Sequence, residues 1–470
     1  MLFSSIPFLY YFLPAVLMVY FLVPKNLKNA VLLVFSLVFY AWGEPKYMLL
    51  MVISILLFFA YGMAIEKAGT PAAKKGFLIL ASVTGVVFLG VFKYADFLIS
   101  SLNGVTGWNL PLPGLKLPIG ISFYTFQCMG YAADVYRGRV SAQKSLVNFG
   151  TYVSMFPQLI AGPIVRYSDI CERLDHRETS IGDCWEGTQR FLIGLGKKVL
   201  LANQFGALTE CYRASAQPTV LFAWLCAVGY TLQIYFDFSG YSDMAIGLGR
   251  IFGFSFPENF NYPFISRSVS EFWRRWHISL GSWFRDYVYI PLGGNRCSTG
   301  RHLRNILVVW MLTGLWHGAA WNFVLWGLLF AAALMIEKWT GFQKKLPELL
   351  QHMYVLLLVI FSFVLFQAGS VAEAGRNMAA MLGFGGLPLS SPESLYYLRS
   401  YGVLLAAGCL FSTPAAGFAG KRLGDTAVFR VAKPLGMILL LLICTAYLVD
   451  GSFNPFLYFR FGGGAYEKES

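Results

Sequence analysis

Long apolar runs without charged residues recur along the whole chain, and they limit its fold more than any other feature. Five lie in the first third, at residues 6–23, 29–42, 47–65, 76–99 and 117–135. Most are long enough to cross a hydrocarbon layer about 30 Å thick as a helix. Hydrophobic residues make up 57% of the chain and charged residues only 13%, too few to cover a soluble surface. The sequence predicts an all-α, polytopic helical membrane protein with about 10–12 transmembrane helices.

The basic residues lie mostly in short segments between these runs, which accounts for the formal net charge of +13. Lysines or arginines follow the first, third and fifth runs: Lys25, Lys28, Lys67, Lys74, Lys75, Arg137, Arg139 and Lys144. Short loops rich in Lys and Arg face the cytoplasm. We therefore expect the N-terminus, and by parity the C-terminus, to be extracytoplasmic. Because membrane orientation explains the charge, we expect no nucleic-acid partner.

The middle of the chain departs from a simple bundle. Residues 150–164 are apolar but short and are interrupted by Pro157, Gly162 and Pro163, while residues 231–254 include two aspartates. Irregular backbone and carboxylates are tolerated at membrane depth only inside the protein or beside a water-filled cavity. We therefore predict re-entrant and amphipathic helices around a central tunnel at 146–340. This core would form one integral-membrane domain with N-terminal helices at 1–145 and C-terminal helices at 341–470.

One histidine lies in the longest stretch without formal charge, residues 306–336. A helix of that length exceeds a perpendicular span, so it either tilts or breaks near Gly314 and Gly318. His317 would lie about 20 Å along the axis from Arg304, close to the bilayer midplane. A neutral imidazole at that depth either joins neighbouring helices by a hydrogen bond or serves as a general base.

A second histidine lies in residues 268–290, where the spacing predicts one amphipathic helix with His277 on the apolar side. His277 is then either a packed interfacial residue or part of an active site. Arg274 and Arg275 could bind lipid phosphates or an anionic substrate. The eight cysteines are scattered without ligand-like spacing, so we expect no metal site.

Six stretches resemble the membrane-bound O-acyltransferase family, in particular its bacterial alginate O-acetyltransferase branch. They occur in the family's order: FPQLIAGPIVRYSDI (156–170), YFDFSGYSDMAIGLGRIFGF (235–254), NFNYPF (259–264), SVSEFWRRWHISLGSWFRDYVYIPLGGNR (268–296), LTGLWHGAAWNFVLWG (312–327) and FNPFLYFRF (453–461). The first five stretches lie within residues 117–335, and the sixth lies near the C-terminus.

The resemblance implies a tunnel through the membrane with catalytic histidines near its middle. His317 matches the family's invariant histidine, the expected general base. His277 matches a second motif position that is Asn in many eukaryotic members, and becomes the second expected catalytic residue. Other residues in or beside the matching motifs are expected to bind substrate or line the tunnel: Trp316, Trp321, Arg274, Arg275, Asp237 and Gln158.

The resemblance also implies a function: acetyl transfer from cytoplasmic acetyl-CoA to an exported, alginate-like polysaccharide, in a bacterial inner membrane. No bound cofactor is expected, because acetyl-CoA is the donor substrate. The implied partners are the polysaccharide, membrane lipid and an extracytoplasmic transferase of the SGNH type with a Ser nucleophile. Two alternatives stay open: D-alanyl transfer from a carrier protein to teichoic acid, and a non-enzymatic transporter or scaffold.

Overall fold

The computed structural model describes residues 2–160, 162–424, 426–451, 454 and 457. Every regular element in these ranges is a helix. Among them, seven are long and apolar enough to cross a membrane: Lys25–Gly43, Met48–Lys67, Pro71–Thr106, Val220–Ile251, Trp321–Thr340, Glu348–Gln367 and Phe429–Asp450. The predicted polytopic helical architecture is confirmed.

Two of the predicted spans form shorter helices, at Phe8–Leu22 and Ile121–Tyr136. The total of ten to twelve crossings therefore stays a prediction. The tail motif at 453–461 lies outside the described residues except for Asn454 and Leu457.

The described part of residues 1–191 and 241–258 forms one compact unit. Its complete helices are α1 Leu13–Leu22, α2 Lys28–Gly43, α3 Met48–Lys67, α4 Pro71–Leu89, α5 Ala95–Thr106, α6 Ile121–Tyr136, α7 Leu146–Ser154, α8 Phe156–Leu159 and α9 Tyr167–Asp175. The predicted interruption of 150–164 is confirmed, because α7 ends at Ser154 and α8 has four residues. The backbone N–H of Phe156, just past the break, donates to Ser36 Oγ at 3.0 Å.

Residues 192–240 and the described part of 259–457 form the second unit. Helices α10 Ile181–Gly196 and α12 Val220–Ile251 contribute to both units. The others are α11 Asn203–Ala214, α13 Val269–Arg275, α14 Ile278–Phe284, α15 Thr299–His317, α16 Trp321–Thr340, α17 Glu348–Gln367, α18 Val371–Met381, α19 Pro392–Phe411, α20 Ala415–Leu423 and α21 Ala427–Asp450.

Helices α15 and α16 form a close hairpin where the long uncharged stretch breaks. α15 ends at His317 and α16 begins at Trp321, so of the two alternatives, a tilted helix or a break near Gly314 and Gly318, the structure has the break. A Cβ atom on Gly314 would overlap the backbone carbonyl of Phe323, and one on Gly327 would overlap that of Trp310. Glycine at positions 314 and 327 therefore lets the backbones of α15 and α16 touch, which fixes the end of α15 against α16.

The prediction of a single amphipathic helix over 268–290 is wrong. α13 ends at Arg275, α14 begins at Ile278, and His277 between them has left-handed backbone angles, φ 45° and ψ 52°. The physical reason is a competing segment: Ile278 N–H donates to Asn259 O at 3.0 Å, and Asn261 N–H donates to Arg275 O at 2.9 Å. These bonds replace helical ones, so the side chains do not share the helical faces predicted for them.

Candidate active site

The two histidines singled out by the sequence lie together in the second unit. The ring centroids of His277 and His317 are 6.4 Å apart, and the residues are only 1% and 9% exposed. This separation is too large for a direct hydrogen bond between the ring nitrogens. Forty residues of chain separate them, and the break at His277 and the α15–α16 hairpin bring them together.

Aromatic rings enclose both imidazoles. The Trp316 ring contacts both of them, with centroids 5.5 Å from His277 and 5.0 Å from His317. Phe238 of α12 meets His277 edge to face at 4.7 Å. Trp326 and Phe366 lie 5.1 and 5.2 Å from His317. Such walls exclude water, which strengthens electrostatic interactions inside the site and limits hydrolysis of a reactive acyl group.

Asn259 holds the ring of His277. Its Oδ1 lies 3.1 Å from His277 Nδ1 and accepts hydrogen bonds from Ser279 N–H at 3.2 Å and Ser279 Oγ at 2.9 Å. The other ring nitrogen, His277 Nε2, is buried and has no hydrogen-bond partner among the described residues. The Nδ1 edge of the imidazole is therefore held by the protein, and Nε2 can accept a hydrogen bond from a substrate or donate one to it.

A buried carboxylate anchors the helix that leads into His277. Glu337, near the end of α16 and 2% exposed, accepts hydrogen bonds from the backbone N–H groups of Val269 and Ser270 at 2.6 and 3.1 Å. It also accepts from Ser270 Oγ at 3.0 Å. These donors lie at the start of α13, where N–H groups have no partner within the helix. Glu337 thereby ties α13 to the helix that follows His317.

The two arginines of α13 are placed differently. Arg275 Nε donates to Glu271 Oε1 at 2.9 Å, and Arg275 Nη1 donates to the carbonyl of Asn261 at 3.1 Å. Arg275 therefore helps to hold residues 259–261 against the end of α13. Arg274 is exposed. Binding of an anionic substrate or a lipid phosphate by Arg274 stays a prediction.

Three other predicted residues have different surroundings. Trp321 begins α16 and is 57% exposed, whereas its neighbour in the motif, Trp316, is buried. Gln158 belongs to the first unit, where it is buried and donates to the carbonyl of Tyr152. Asp237 is in the second unit, paired with Lys198.

The Asp237–Lys198 pair is buried, with a separation of 2.6 Å and both side chains 4% exposed. Asp237 Oδ2 also accepts the backbone N–H of Leu457 at 3.0 Å, so the carboxylate holds a residue of the C-terminal tail. The sequence placed Asp237 in a membrane-depth motif but gave no sign of its partner, because Lys198 lies in a different apolar stretch.

Reasoning from the sequence missed the supporting residues of the site. Asn259 stands in the NFNYPF motif, which gave a usable signal because an Asn flanked by aromatic residues has little reason to be apolar core. Glu337 had a signal too, as an acidic residue at the end of an apolar run. Phe238 and Phe366 had none, since they are two of 42 phenylalanines in an aromatic-rich chain.

Comparison with known proteins places this site in a family. The model described as MBOAT, membrane-bound O-acyltransferase family, matches residues 45–372, well over half of the chain and all of the histidine site. The chain belongs to the membrane-bound O-acyltransferase family. It is therefore a multi-pass membrane enzyme that transfers acyl groups to hydroxyl groups.

Individual relatives in this family carry different acceptor names. The probable alginate O-acetylase AlgI of Azotobacter vinelandii is 39% identical over 98% of this chain and 100% of its own length. The peptidoglycan O-acetyltransferase of Helicobacter pylori is 31% identical over 98% of both chains. The teichoic acid D-alanyltransferase of Bacillus subtilis is 30% identical over 53% of this chain and 67% of its own. The predicted likeness to the alginate O-acetyltransferase branch is confirmed.

Proposed function

We propose that this O-acyltransferase moves acetyl groups from cytoplasmic acetyl-CoA across the bacterial inner membrane to O-acetylate an exported, alginate-like polysaccharide. The pair of buried imidazoles, His277 and His317, carries the proposal, because acyl transfer to a hydroxyl needs a proton acceptor protected from water. Full-length similarity to enzymes named for alginate and peptidoglycan O-acetylation supports acetyl as the group transferred.

In the proposed reaction the acceptor oxygen bonds to the acetyl carbonyl carbon and the carbon–sulfur bond breaks. His317 Nε2 takes the hydroxyl proton as the oxygen attacks, and the proton then passes to the departing thiolate to give free CoA thiol. The Trp316, Trp326 and Phe366 rings keep water from competing with the hydroxyl.

The acceptor hydroxyl is proposed to belong to an extracytoplasmic transferase with a Ser nucleophile, of the SGNH type, which then modifies the polysaccharide. The donor is made in the cytoplasm and the polymer is outside, so a site reached from both faces solves the transport problem. We also propose the predicted orientation, with both termini extracytoplasmic, which follows from the basic loops. Reaction of single cysteines introduced near each end with a membrane-impermeant reagent, on intact cells, tests it.

The deciding experiment uses purified protein, labelled acetyl-CoA and the extracytoplasmic transferase. A general base contributes about 10²–10⁴-fold, so His317→Ala should lower acetyl transfer by that factor. His352→Ala is the matched control, because His352 Nδ1 donates to the carbonyl of Ser266 at 3.2 Å and the residue lies outside the histidine pair. Unchanged transfer in His317→Ala would remove His317 as the base.

The same assay separates the alternative donors. The Bacillus subtilis relative acts on teichoic acid by its name, and its similarity covers about half of this chain. If the protein consumes a D-alanyl carrier-protein thioester and ignores acetyl-CoA, the proposed acetyl transfer is wrong and D-alanyl transfer replaces it.

A further inference from the structure

The hydrogen bonds around Asn259 determine which nitrogen of His277 carries the proton. The backbone N–H of Ser279 meets a side-chain atom of Asn259 at 3.2 Å, and a backbone N–H can only donate. That atom must therefore be the carbonyl oxygen, which can only accept. His277 Nδ1 lies 3.1 Å from the same oxygen and so carries a proton. In the neutral imidazole the lone pair is then on Nε2.

His277 Nε2 is consequently an acceptor with a fixed direction. It is fully enclosed, and no donor for it is found in the part of the chain that the structure describes. Buried polar atoms without a partner are rare because they cost stability, and a bound ligand can supply the missing donor. The ring of His317 lies nearby, with its centroid 6.4 Å from that of His277.

Asn259 fixes the backbone of His277 as well as its ring. The carbonyl of Asn259 accepts the N–H of Ile278 at 3.0 Å, just after the left-handed turn at His277. Left-handed angles are unfavourable for a residue with a side chain, so surrounding contacts must maintain them. One asparagine thus sets both where the imidazole lies and which nitrogen it presents.

We propose that Asn259 is a positioning residue that holds His277 in the Nδ1–H tautomer, so that Nε2 accepts a hydrogen bond from the first amide N–H of the thioester donor's pantetheine arm. The inference rests on the proposed function. Two methylene groups separate that amide from the thioester sulfur. If the thioester carbonyl lies beside His317, the amide N–H therefore reaches towards His277. CoA and acyl-carrier proteins share this arm, so the contact serves either donor.

The two imidazoles then have different tasks. His317 takes the proton that is transferred, whereas His277 accepts a hydrogen bond and stays neutral. An Nε2–H tautomer of His277 would instead place two donors against each other. The role of Asn259 resembles that of the Asn in Cys-His-Asn catalytic triads, which orients the catalytic histidine.

The first test reads the tautomer without any turnover. The chain has only five histidines, so ¹⁵N-histidine labelling gives a small set of signals, and loss of one set in His277→Asn assigns residue 277. We expect protonated Nδ1 and unprotonated Nε2 in the unaltered protein, and a mixture of tautomers in Asn259→Ala. Asn305→Ala is the matched control, since Asn305 is equally buried but donates to the carbonyls of Leu292 and Gly294.

The second test reads the amide contact. S-acetyl-N-acetylcysteamine retains the thioester and its amide N–H, and the analogue with an ester oxygen in place of that N–H lacks only the donor. We expect kcat/KM to favour the amide by about tenfold or more, because the ester leaves Nε2 unpaired. The preference should disappear in Asn259→Ala and persist in Asn259→Asp, which keeps the accepting oxygen, and in Asn305→Ala.

Each outcome decides a separate point. Protonated Nε2 in the unaltered protein, or an unchanged tautomer in Asn259→Ala, would overturn the role of Asn259 even if acetyl transfer is established. Equal use of amide and ester by the unaltered protein would overturn the pantetheine contact. If Asn259→Ala fails to fold, the tautomer of His277 and the preference for the amide can still be measured on the unaltered protein. Absence of turnover with any thioester would defeat the proposed function and leave the tautomer result standing.

Discussion

The buried ion pair of Lys198 and Asp237 allows a sharp test of whether a predicted site residue acts on structure or on substrate. Removing one partner of a buried pair leaves an uncompensated charge and costs about 3–5 kcal/mol, whereas replacing both is often nearly neutral. Asp237→Asn isolates the charge, because the amide oxygen can still accept the N–H of Leu457. We expect this single change to shift the folding equilibrium by about 10²-fold or more.

The assay is the half-life of monodisperse protein at a fixed elevated temperature in detergent, since membrane enzymes often unfold irreversibly. Asp237→Asn and Lys198→Met should each shorten it severely, and the double variant should recover most of the loss. Acetyl transfer is measured in parallel. If the double variant is stable and active, Asp237 acts through the fold rather than through substrate.

Two results would refute this reasoning. Losses in the single variants that simply add in the double variant would mean that the two charges do not interact. Alternatively, Asp237→Asn could be as stable as the unaltered chain. A stable but inactive double variant would restore Asp237 as a substrate-binding residue.

Other substitutions probe the supports of the site. Gly327→Ala should push α16 away from the carbonyl of Trp310, and because displacing a catalytic group by about 1 Å can cost 10²-fold, we expect transfer to fall by about that factor while the protein still folds. Glu337→Gln keeps one accepting oxygen but should lower the free energy of unfolding by about 1–3 kcal/mol. The loss would be measured as a shorter half-life at elevated temperature. Burial, together with the charge of Lys338, holds the pKa of His302 below its ordinary value. Lys338→Met should therefore raise the pKa of His302 in a ¹⁵N titration, and a falling pKa would contradict this account.

The apolar runs were sufficient to predict the helical membrane architecture, because hydrophobic length is a local property of the sequence. The long uncharged stretch left two possibilities open, a tilted helix or a break near Gly314 and Gly318, and only the structure distinguishes them. The depth expected for His317, close to the bilayer midplane, came from counting residues along the helix and stays a prediction. Family resemblance supplied the expectation that it acts as the base.

The environment of His277 could not be predicted in the same way. Its helical spacing is regular, so a continuous helix was the natural expectation. The left-handed turn exists only because residues 259–261 bind the backbone on either side of it, and that pairing is tertiary. Asn259 and His277 are 18 residues apart. A loop and helix α13 lie between them, and the sequence does not predict the path of that loop.

Both histidines lie at junctions between two helices. His277 follows the last turn of α13 and precedes the first turn of α14, and His317 ends α15 four residues before α16 begins. A helix carries about half a positive charge at its N-terminus and half a negative charge at its C-terminus. Each imidazole is therefore close to both kinds of helix end, so helix dipoles do not by themselves distinguish the two histidines, and the difference between their proposed roles rests on their hydrogen-bond partners.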